Sequence, residues 1–496
     1  MQLKELATYL MASQIQGDES TECTGIVIDS RRVQQGDLFI CLPGHTVDGH
    51  DYAQQAADLG AAALVVERWL EGLPLPQLKV KDSRVAMSIL AGVYFKSPSS
   101  RMKVIGVTGT NGKTTTTYLI ERILQDQQRK TGLIGTIQRR FAGQTFPMSG
   151  TTPESLELQS YLHDMAEAGG EYCVMEVSSH ALHQGRVKGT AFRTAIFTNL
   201  TQDHLDYHKT MEEYRGAKAL FFSRLGNTYA DDSEKRSYAV LNADDEASAY
   251  FAKQTAAETI LYGVDHEADV RASAISVTAK GTSFHVETFR GSTDISLKMV
   301  GKFNVYNALA AISAALLEGI ELEQIKASLE AIQGVEGRVE AVDEGQPFAV
   351  IVDYAHTPDG LENVLRTVNE FAKGRVICVF GCGGDRDRTK RPLMGQIAAK
   401  YAEHVIITSD NPRTESPDAI LLDIEQGLVK DGVPEANYEL VVDRHKAIQK
   451  AIEMASHEDV VLIAGKGHET YQLIGSKVFD FDDRIVAREA IRGLAK

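Results

Sequence analysis

No stretch of the 496-residue chain is apolar for long enough to span a bilayer, and no signal-like segment opens it. Positive charge is in deficit: 52 lysines and arginines face 68 aspartates and glutamates, a formal net charge of −16. This argues against a general nucleic-acid or anionic-membrane surface, so any nucleotide must be held by local positive groups within an acidic protein. Cysteines are scarce and scattered. Cys23, Cys41, Cys173, Cys378 and Cys382 are odd in number, which argues against a disulfide framework and fits a reducing cytoplasm. Cys378 and Cys382 lack the second pair that a structural metal site needs, and read as buried strand-end thiols. Internal repeats and low-complexity tracts are missing too. What is left, 43% hydrophobic and 24% charged, is an ordinary globular composition at a length that suits about three domains.

The first segment, residues 1–97, mixes short strands and helices. GIVIDSRRVQQGDLFICLPG predicts two strands around a turn, and DYAQQAADLGAAALVV a helix feeding a buried strand. KSPSSRMK (96–103) reads as a linker. Residues 98–332 alternate strand and helix, as a mostly parallel sheet requires: GLIGT, a helix near 154–168, YCVMEV, TAIFTNL, a helix near 212–225, and YAVLN. Period-two alternation in ISVTAKGTSFHVETF predicts antiparallel strands within 268–300, followed by the helix FNVYNALAAISAALLEG and another near 322–332. Residues 333–496 alternate strand and helix again, and their FGCGGDRD turn lacks the spacing of a dinucleotide fingerprint. The expected class is α/β in three domains: a smaller N-terminal α/β domain, a central P-loop domain with a mostly parallel sheet, and a Rossmann-like C-terminal domain.

Chemistry enters at KVIGVTGTNGKTTTT (103–117), an apolar run, a Gly-rich turn, a lysine and a block of hydroxyls. Such a turn points backbone N–H groups at a polyphosphate, and the helix that follows adds its dipole. Gly109, Thr110, Asn111 and Gly112 form the loop, Lys113 reaches the outer phosphates, and the Thr114 hydroxyl helps hold Mg²⁺, with Thr115 beside it. The strict pattern wants glycine where Val107 stands, so the loop is a variant. Glu176 closes the strand YCVMEV, and His204 follows the next strand; both lie at the sheet edge where strand C-termini gather. They read as candidate Mg²⁺ ligands, with a helix-capping or hydrogen-bonded loop histidine as the alternative for His204. Lys218, among Ala217, Ala219, Leu220 and Phe221, is either a snorkelling lysine or a desolvated amine open to carbamylation.

TGTNGKTT, MEVSSHAL, TNLTQDHLDYH and AKALFF together resemble the Mur ligases, the ATP-dependent peptide synthetases of peptidoglycan precursor assembly. The resemblance runs through the chain: IDSRRVQQGDLFICLPGHTVDGHDYA resembles the UDP-binding N-terminal domain, and GKFNVYNALAA the adenine-contacting helix. GRVE, VDYAHTPDGLENVL, GGDRDRTKRPLM, SDNPRTE and AGKGHETYQ resemble the C-terminal domain.

The resemblance implies roles position by position. Glu176, His204 and carbamylated Lys218 would hold one Mg²⁺, and Glu176 with Thr114 the ion beside the ATP phosphates. Ser30 would contact the UDP end of the nucleotide substrate, and Thr151, Thr152, Ser178, Gln184 and Arg186 would position a muramoyl-dipeptide. Asn304 would read adenine, Arg338 would approach phosphate, and Asp353 would accept from ribose hydroxyls. DNPR, Asp410, Asn411, Pro412 and Arg413, resembles the version of the motif that goes with meso-diaminopimelate, with Arg386 on a substrate carboxylate and Gly465 and Glu469 at the distal amino acid centre. The implied reaction adds that diamino acid to a UDP-linked muramoyl-dipeptide, using ATP and Mg²⁺ and proceeding through an acyl-phosphate, in a cytoplasmic monomer with small-molecule partners only. A lysine-adding counterpart or a folylpolyglutamate-type ligase is the alternative.

Overall fold

Apolar residues that alternate between two buried faces organise the N-terminal sheet. In the computed structural model, which describes residues 1–44, 47–148, 150–227, 229, 231–278 and 280–494, the chain forms two compact units. His45 and Thr46 of the N-terminal motif, Ala279 of the predicted antiparallel strands, and Ala495 and Lys496 of the third segment lie outside the described residues. One unit comprises residues 1–106 and 129–193, the other residues 107–128 and 194–496.

In the first unit, five strands run across the sheet in the order Gln14–Gln16, Gln77–Lys79, Ala63–Val66, Asp37–Ile40, Gly25–Val27. All pairs are parallel except the antiparallel edge, where Ile15 faces Leu78. Leu38, Ile40, Ala63, Val65 and Leu78 enter one core with Leu3, Leu6, Met87 and Leu90, while Phe39, Cys41, Leu64 and Val66 enter another with Ala53 and Ala56. Helices therefore cover both faces, which is why the central strand Ala63–Val66 and residues 38–40 beside it are apolar without a break, while the edge strand Gln14–Gln16 is not. The two strands predicted around a turn are Gly25–Val27 and Asp37–Ile40, but they pair in parallel, with a 3-10 turn at Ser30–Arg32 between them. A tight turn cannot join parallel neighbours, so the link has to cross over. The predicted helix-to-strand passage is Ala53–Asp58 followed by Ala63–Val66. Later in this unit Thr131–Ile134 pairs in parallel with Tyr172–Glu176, and the helix Ser155–Glu167 lies between them in sequence. A small hairpin, Arg139–Phe141 with Gln144–Phe146, extends the antiparallel side.

In the second unit the strands Phe192–Phe197, Tyr238–Asn242 and Glu258–Gly263 run parallel, and Val270–Thr278 joins them in parallel at its start. Val270–Thr278, Gly281–Thr288 and Gly291–Leu297 then form the antiparallel ribbon expected from their alternation. The helix Lys302–Leu317 is buried nearly all round and packs on the helix Lys113–Asp126. The C-terminal sheet has the order Glu340–Ala341, Ala349–Asp353, Val460–Ala464, Val376–Phe380, His404–Thr408, Tyr438–Val441, parallel after its antiparallel first pair. One face packs on Leu361, Val364, Met394, Ile420 and Ile424, the other on Ile448, Ile452, Val486 and Ile491, making a three-layer α/β sandwich. Asp353, Asp410 and Gly465 stand at or just past the C-terminal ends of its strands, where ligands bind in open parallel sheets.

Candidate functional site

The phosphate loop leaves the strand Lys103–Thr108 with Val107 still fully buried in it, so the turn begins only at Gly109. Gly109 has φ +153° and Gly112 φ +84°, and Gly112 sits at the N-cap of the helix Lys113–Asp126. A Cβ on Gly109 would lie 1.8 Å from Thr198 Oγ1, and one on Gly112 2.4 Å from Asn307 Oδ1, so neither position admits a side chain. The segment after Phe197 clamps the loop: Thr110 N donates to Asn199 O (2.8 Å) and Asn111 N to Asn199 Oδ1 (2.9 Å). Thr198 Oγ1 donates to Asn111 O at 2.6 Å. Lys113 Nζ donates to the carbonyls of Gly109 (2.9 Å) and Thr110 (2.8 Å), which places the ammonium against the loop it serves. Thr114 and Thr115 are buried in the first helical turn.

Three predicted nucleotide contacts come from further along this unit, and of these Arg338 touches the loop helix directly. Arg338 Nη2 donates to Thr114 Oγ1 at 3.0 Å, while its guanidinium carbon lies 4.5 Å from the Tyr354 ring centre and its Nε has no hydrogen-bond partner among the described residues. Asp353 accepts from Val339 N and Ala355 N, both at 2.7 Å; burial pushes its carboxyl up, against the pull of Arg338. Asn304 Oδ1 accepts from Asn307 Nδ2 at 3.2 Å, and Asn307 is the residue that crowds Gly112, so the predicted adenine reader belongs to the loop's packing.

Lys218, on the helix Met211–Ser223, is buried, with Nζ 4.5 Å from the Tyr214 ring centre. Burial, reinforced by Lys113, holds its pKa far below that of an ordinary lysine. A neutral amine is the form that adds carbon dioxide. His204 has φ +57° and Nε2 3.3 Å from Asp203 Oδ2. Asp203 is buried, takes Lys390 Nζ on Oδ1 at 3.2 Å, and has His356 Nε2 3.9 Å from Oδ2. Burial opposes its ionisation, but Lys390, His204 and His356 outweigh that and hold the carboxyl well below the usual range. Asp203, Lys390 and His356 were not singled out from the sequence, although each stands inside a quoted motif; their signal was adjacency to His204 and to the DRDRTKR turn.

A second cluster lies at the ends of Val376–Phe380, His404–Thr408 and Val460–Ala464. Lys466 is fully buried and spends its three protons on Asn411 Oδ1 (3.0 Å), Glu469 Oε2 (3.1 Å) and Tyr471 O (2.7 Å). Asn411 Nδ2 also donates to Glu469 Oε2 at 2.8 Å. Burial and nearby Asp410 raise the Glu469 carboxyl, whereas Lys466 and Arg444 keep Asp410 ionised despite its burial. Gly465 has φ +117°, and a Cβ there would lie 2.7 Å from Asp410 Oδ2. Pro412 is buried, and its carbonyl would lie 1.9 Å from a Cβ on Gly384. Arg413, at φ +52°, donates from Nη1 to Gly384 O (2.8 Å) and Asn411 O (3.4 Å). Burial and the neighbouring cation Arg386 lower its pKa. Among the described residues neither arginine has a carboxylate within ion-pair distance. The arrangement presents two cations to an incoming anion, beside a buried Glu–Lys–Asp group suited to an amino acid centre. Lys466 was another residue missed in the sequence, where it is one lysine in a glycine-rich turn.

In the first unit, Ser30 lines a cleft of about 840 Å³ with Ile26, Arg32, Tyr52 and Tyr161, and its Oγ donates to Gln55 Oε1 at 2.9 Å. Thr151, Thr152, Ser178, Gln184 and Arg186 form one network: Arg186 donates to Gln184 Oε1 (2.9 Å) and Thr152 O (2.9 Å), Thr152 Oγ1 to Ser178 Oγ (3.3 Å), and the Thr136 and Thr151 hydroxyls share a bond of 3.0 Å. Glu176 is buried and accepts from Thr136 N (2.8 Å) and Thr136 Oγ1 (3.0 Å). All five cysteines are free and buried; of the two expected at strand ends, Cys378 lies in the middle of Val376–Phe380 and Cys382 just past its end. Among the described residues no three His, Cys, Asp or Glu side chains converge as a metal cage, and no helix is long and apolar enough to cross a membrane. Mg²⁺ needs no such cage, because it binds through one or two protein oxygens plus substrate phosphates and water, and the Thr114 hydroxyl at the head of the loop helix suits it.

Three family descriptions match the chain: Mur ligase family, catalytic domain, over residues 22–93; Mur ligase middle domain, over 107–315; and Mur ligase, glutamate ligase domain, over 337–467. The UDP-N-acetylmuramoyl-L-alanyl-D-glutamate--2,6-diaminopimelate ligase of Bacillus cereus is 50% identical over 493 residues, 99% of each chain. The ligase of the same name from Halalkalibacterium halodurans is 54% identical over 467 residues, 94% of each chain. A solved structure of a ligase so named superposes with a TM-score of 0.68 at 34% identity, covering 100% of this chain and 99% of that one.

Proposed function

The chain belongs to the Mur ligase family, with its three-domain α/β fold, and from that premise we infer that it is an ATP-dependent ligase joining meso-diaminopimelate to the D-glutamyl γ-carboxylate of UDP-N-acetylmuramoyl-L-alanyl-D-glutamate. The observation that carries the diamino acid is the Arg413–Arg386 pair, two cations placed side by side with, among the described residues, only backbone carbonyls accepting from them. Diaminopimelate differs from lysine by a carboxylate on its distal carbon, which a guanidinium binds in bidentate fashion. Lysine would leave Arg413 desolvated and unanswered, and a site built for a polar group rejects an analogue that lacks it. Lys466, Glu469 and Asp410 offer the opposite charges for an amino acid centre.

The chemistry follows from what the residues hold. The glutamyl carboxylate attacks the γ-phosphate, the bond to ADP breaks, and an acyl-phosphate forms; the amine then attacks the acyl carbon, inorganic phosphate leaves, and an amide remains. Gly109 to Gly112 present backbone N–H groups, and Lys113 and Arg338 offset charge on the phosphoryl oxygens. Asn304 and Asp353 serve the adenosine end. Thr114, His204 and Lys218 are the groups that would face Mg²⁺, Lys218 after its neutral amine adds carbon dioxide and loses a proton; Glu176 keeps the role the family resemblance gives it. Bound Mg²⁺ supplies charge neutralisation at the phosphates. Ser30 takes the uridine end, and the Thr151, Thr152, Ser178, Gln184 and Arg186 network takes the muramoyl-dipeptide. We assign residues 1–97, 98–332 and 333–496 to the UDP-substrate, ATP and amino acid parts, in a cytoplasmic monomer.

The test is phosphate release with ATP and the UDP-linked dipeptide, comparing diaminopimelate, lysine, ornithine and glutamate as acceptors. Turnover with diaminopimelate at least about a hundredfold more efficient than with lysine supports the reading. Preference for lysine, or for glutamate on a folate acceptor, overturns it.

A further inference from the structure

Asp203 is a buried carboxylate with three cationic or titratable neighbours, His204, Lys390 and His356, and nothing in the ligase chemistry above uses it. It sits between the predicted metal ligand His204 and two groups from the amino acid part of the same unit, Lys390 and His356. Lys390 is itself buried and opens the helix Lys390–Tyr401. The residue before it is gripped as well, since Gln202 Nε2 donates to Thr389 Oγ1 at 3.0 Å. Residues 202 and 203 therefore fasten residues 389 and 390.

That fastening continues to the two arginines. Thr389 N and Oγ1 donate to Asp387 Oδ1 at 2.8 and 2.6 Å, which makes residues 387–389 a stiff step next to Arg386. On the other side Arg391 donates to Glu415 Oε1 (2.8 Å), Asp423 Oδ2 (2.9 Å) and Gly383 O (3.2 Å), and Thr414 Oγ1 donates to Asp385 Oδ1 at 2.7 Å. The turns carrying Arg386 and Arg413 are thus locked to each other and to the head of this helix. The head of the helix is in turn referenced to the phosphate side through one buried ion pair. Removing one partner of such a pair leaves an uncompensated buried charge, so the fastening is cooperative.

We propose that Asp203 is a positioning residue: by holding Lys390 it sets the diamino acid subsite in register with the acyl-phosphate formed beside His204, so that the amine arrives aligned. The proposal rests on the ligase reading. It involves no new bond and no proton transfer; it concerns where the nucleophile is held, the kind of alignment on which amide formation depends.

The test is steady-state kinetics on Lys390→Met, Asp203→Asn, the double variant and Lys390→Arg. The expected result is a rise in the KM for diaminopimelate of about tenfold or more in each of the first two, with the KM for the UDP-linked dipeptide within about twofold of the parent. The double variant is expected to be no worse than the poorer single, because both remove the same contact. Lys390→Arg recovers most of the loss. Equal rises for all substrates, additive effects, or failure of Lys390→Arg to recover while the protein remains folded overturn the proposal. If Lys390→Met does not fold, Asp203→Asn, which keeps shape and hydrogen-bonding capacity, is judged by the same criteria. The two readings fail separately: a parent enzyme that forms no amide with diaminopimelate removes the ligase reading, whereas an active parent with unchanged variants removes only the positioning role.

Discussion

Replacing Arg413 with methionine separates what this side chain does for the substrate from what it does for the fold. Among the described residues its guanidinium donates only to Gly384 O and Asn411 O, is partly desolvated, and feels Arg386 as a like charge. Gly383 shows how near the two arginines are, since a Cβ there would lie 2.9 Å from Arg413 Nη1 and 3.7 Å from Arg386 Cγ. Two hydrogen bonds to backbone acceptors return about 1–3 kcal/mol, and desolvation with like-charge repulsion takes back a similar amount. Arg413→Met is therefore expected to leave thermal stability within about 1 kcal/mol of the parent, or to raise it slightly. In the proposed complex the same guanidinium would gain a bidentate carboxylate, worth about 3–5 kcal/mol, so kcat/KM for diaminopimelate should fall by roughly a hundred- to a few-thousandfold. Lysine has no distal carboxylate to lose, so its kcat/KM should hold or improve. The assay is amide formation with both acceptors alongside a melting curve. A parallel fall for diaminopimelate and lysine, or a melting point lowered by more than about 8 °C, would show that Arg413 is structural and refute the argument.

Other outcomes follow from the same geometry. Lys218→Ala should lose at least about a thousandfold in turnover and regain part of it in added short carboxylic acids, since the proposed carbamate is the group removed; full activity without additives contradicts the assignment. Gly112→Ala should cost about 1–3 kcal/mol of stability and most of the ATP affinity, because its Cβ meets Asn307 Oδ1 at φ +84°. Adding Asn307→Ala should relieve the clash but not the backbone strain, and a double variant that melts no higher than the single argues against the contact. Acid sensitivity has a stated sign. His356 is held down to about 4 by burial and by Lys390, against the pull of Asp203, and His468 to about 3 by burial and Arg338, both from an ordinary 6.5. The unfolded chain then binds the extra protons, so their contribution is complete above about pH 6.5 and is lost as pH falls toward 4. Melting curves across that interval should slope downward in the parent and flatten in His356→Asn with His468→Asn; an unflattened slope removes these histidines as the cause.

Local chemistry is what one dimension records well. Glycine at 109 and 112, the lysine after them and the hydroxyl block announced a phosphate loop, because positive φ and anion-facing N–H groups restrict residue type within a few positions. The parallel strands of the central and C-terminal parts were legible because burial on both faces demands uninterrupted apolar runs. The short hairpin Arg139–Phe141 with Gln144–Phe146 was not, since three-residue polar strands carry no periodic signal. The mode of pairing of Gly25–Val27 with Asp37–Ile40 was hidden as well, because alternation fixes faces but not strand direction.

The phosphate loop, the α/β class and the residue types at each candidate position are properties of the chain's order, where spacing alone constrains backbone and chemistry. That Asp203 receives Lys390 across 187 residues, that Arg413 and Arg386 share one corner, and that Lys218 is buried enough to lower its pKa far below an ordinary lysine's are not. Each of those depends on burial and on charges brought together from distant strand ends, and only the packed molecule removes the water that would otherwise make them ordinary surface groups.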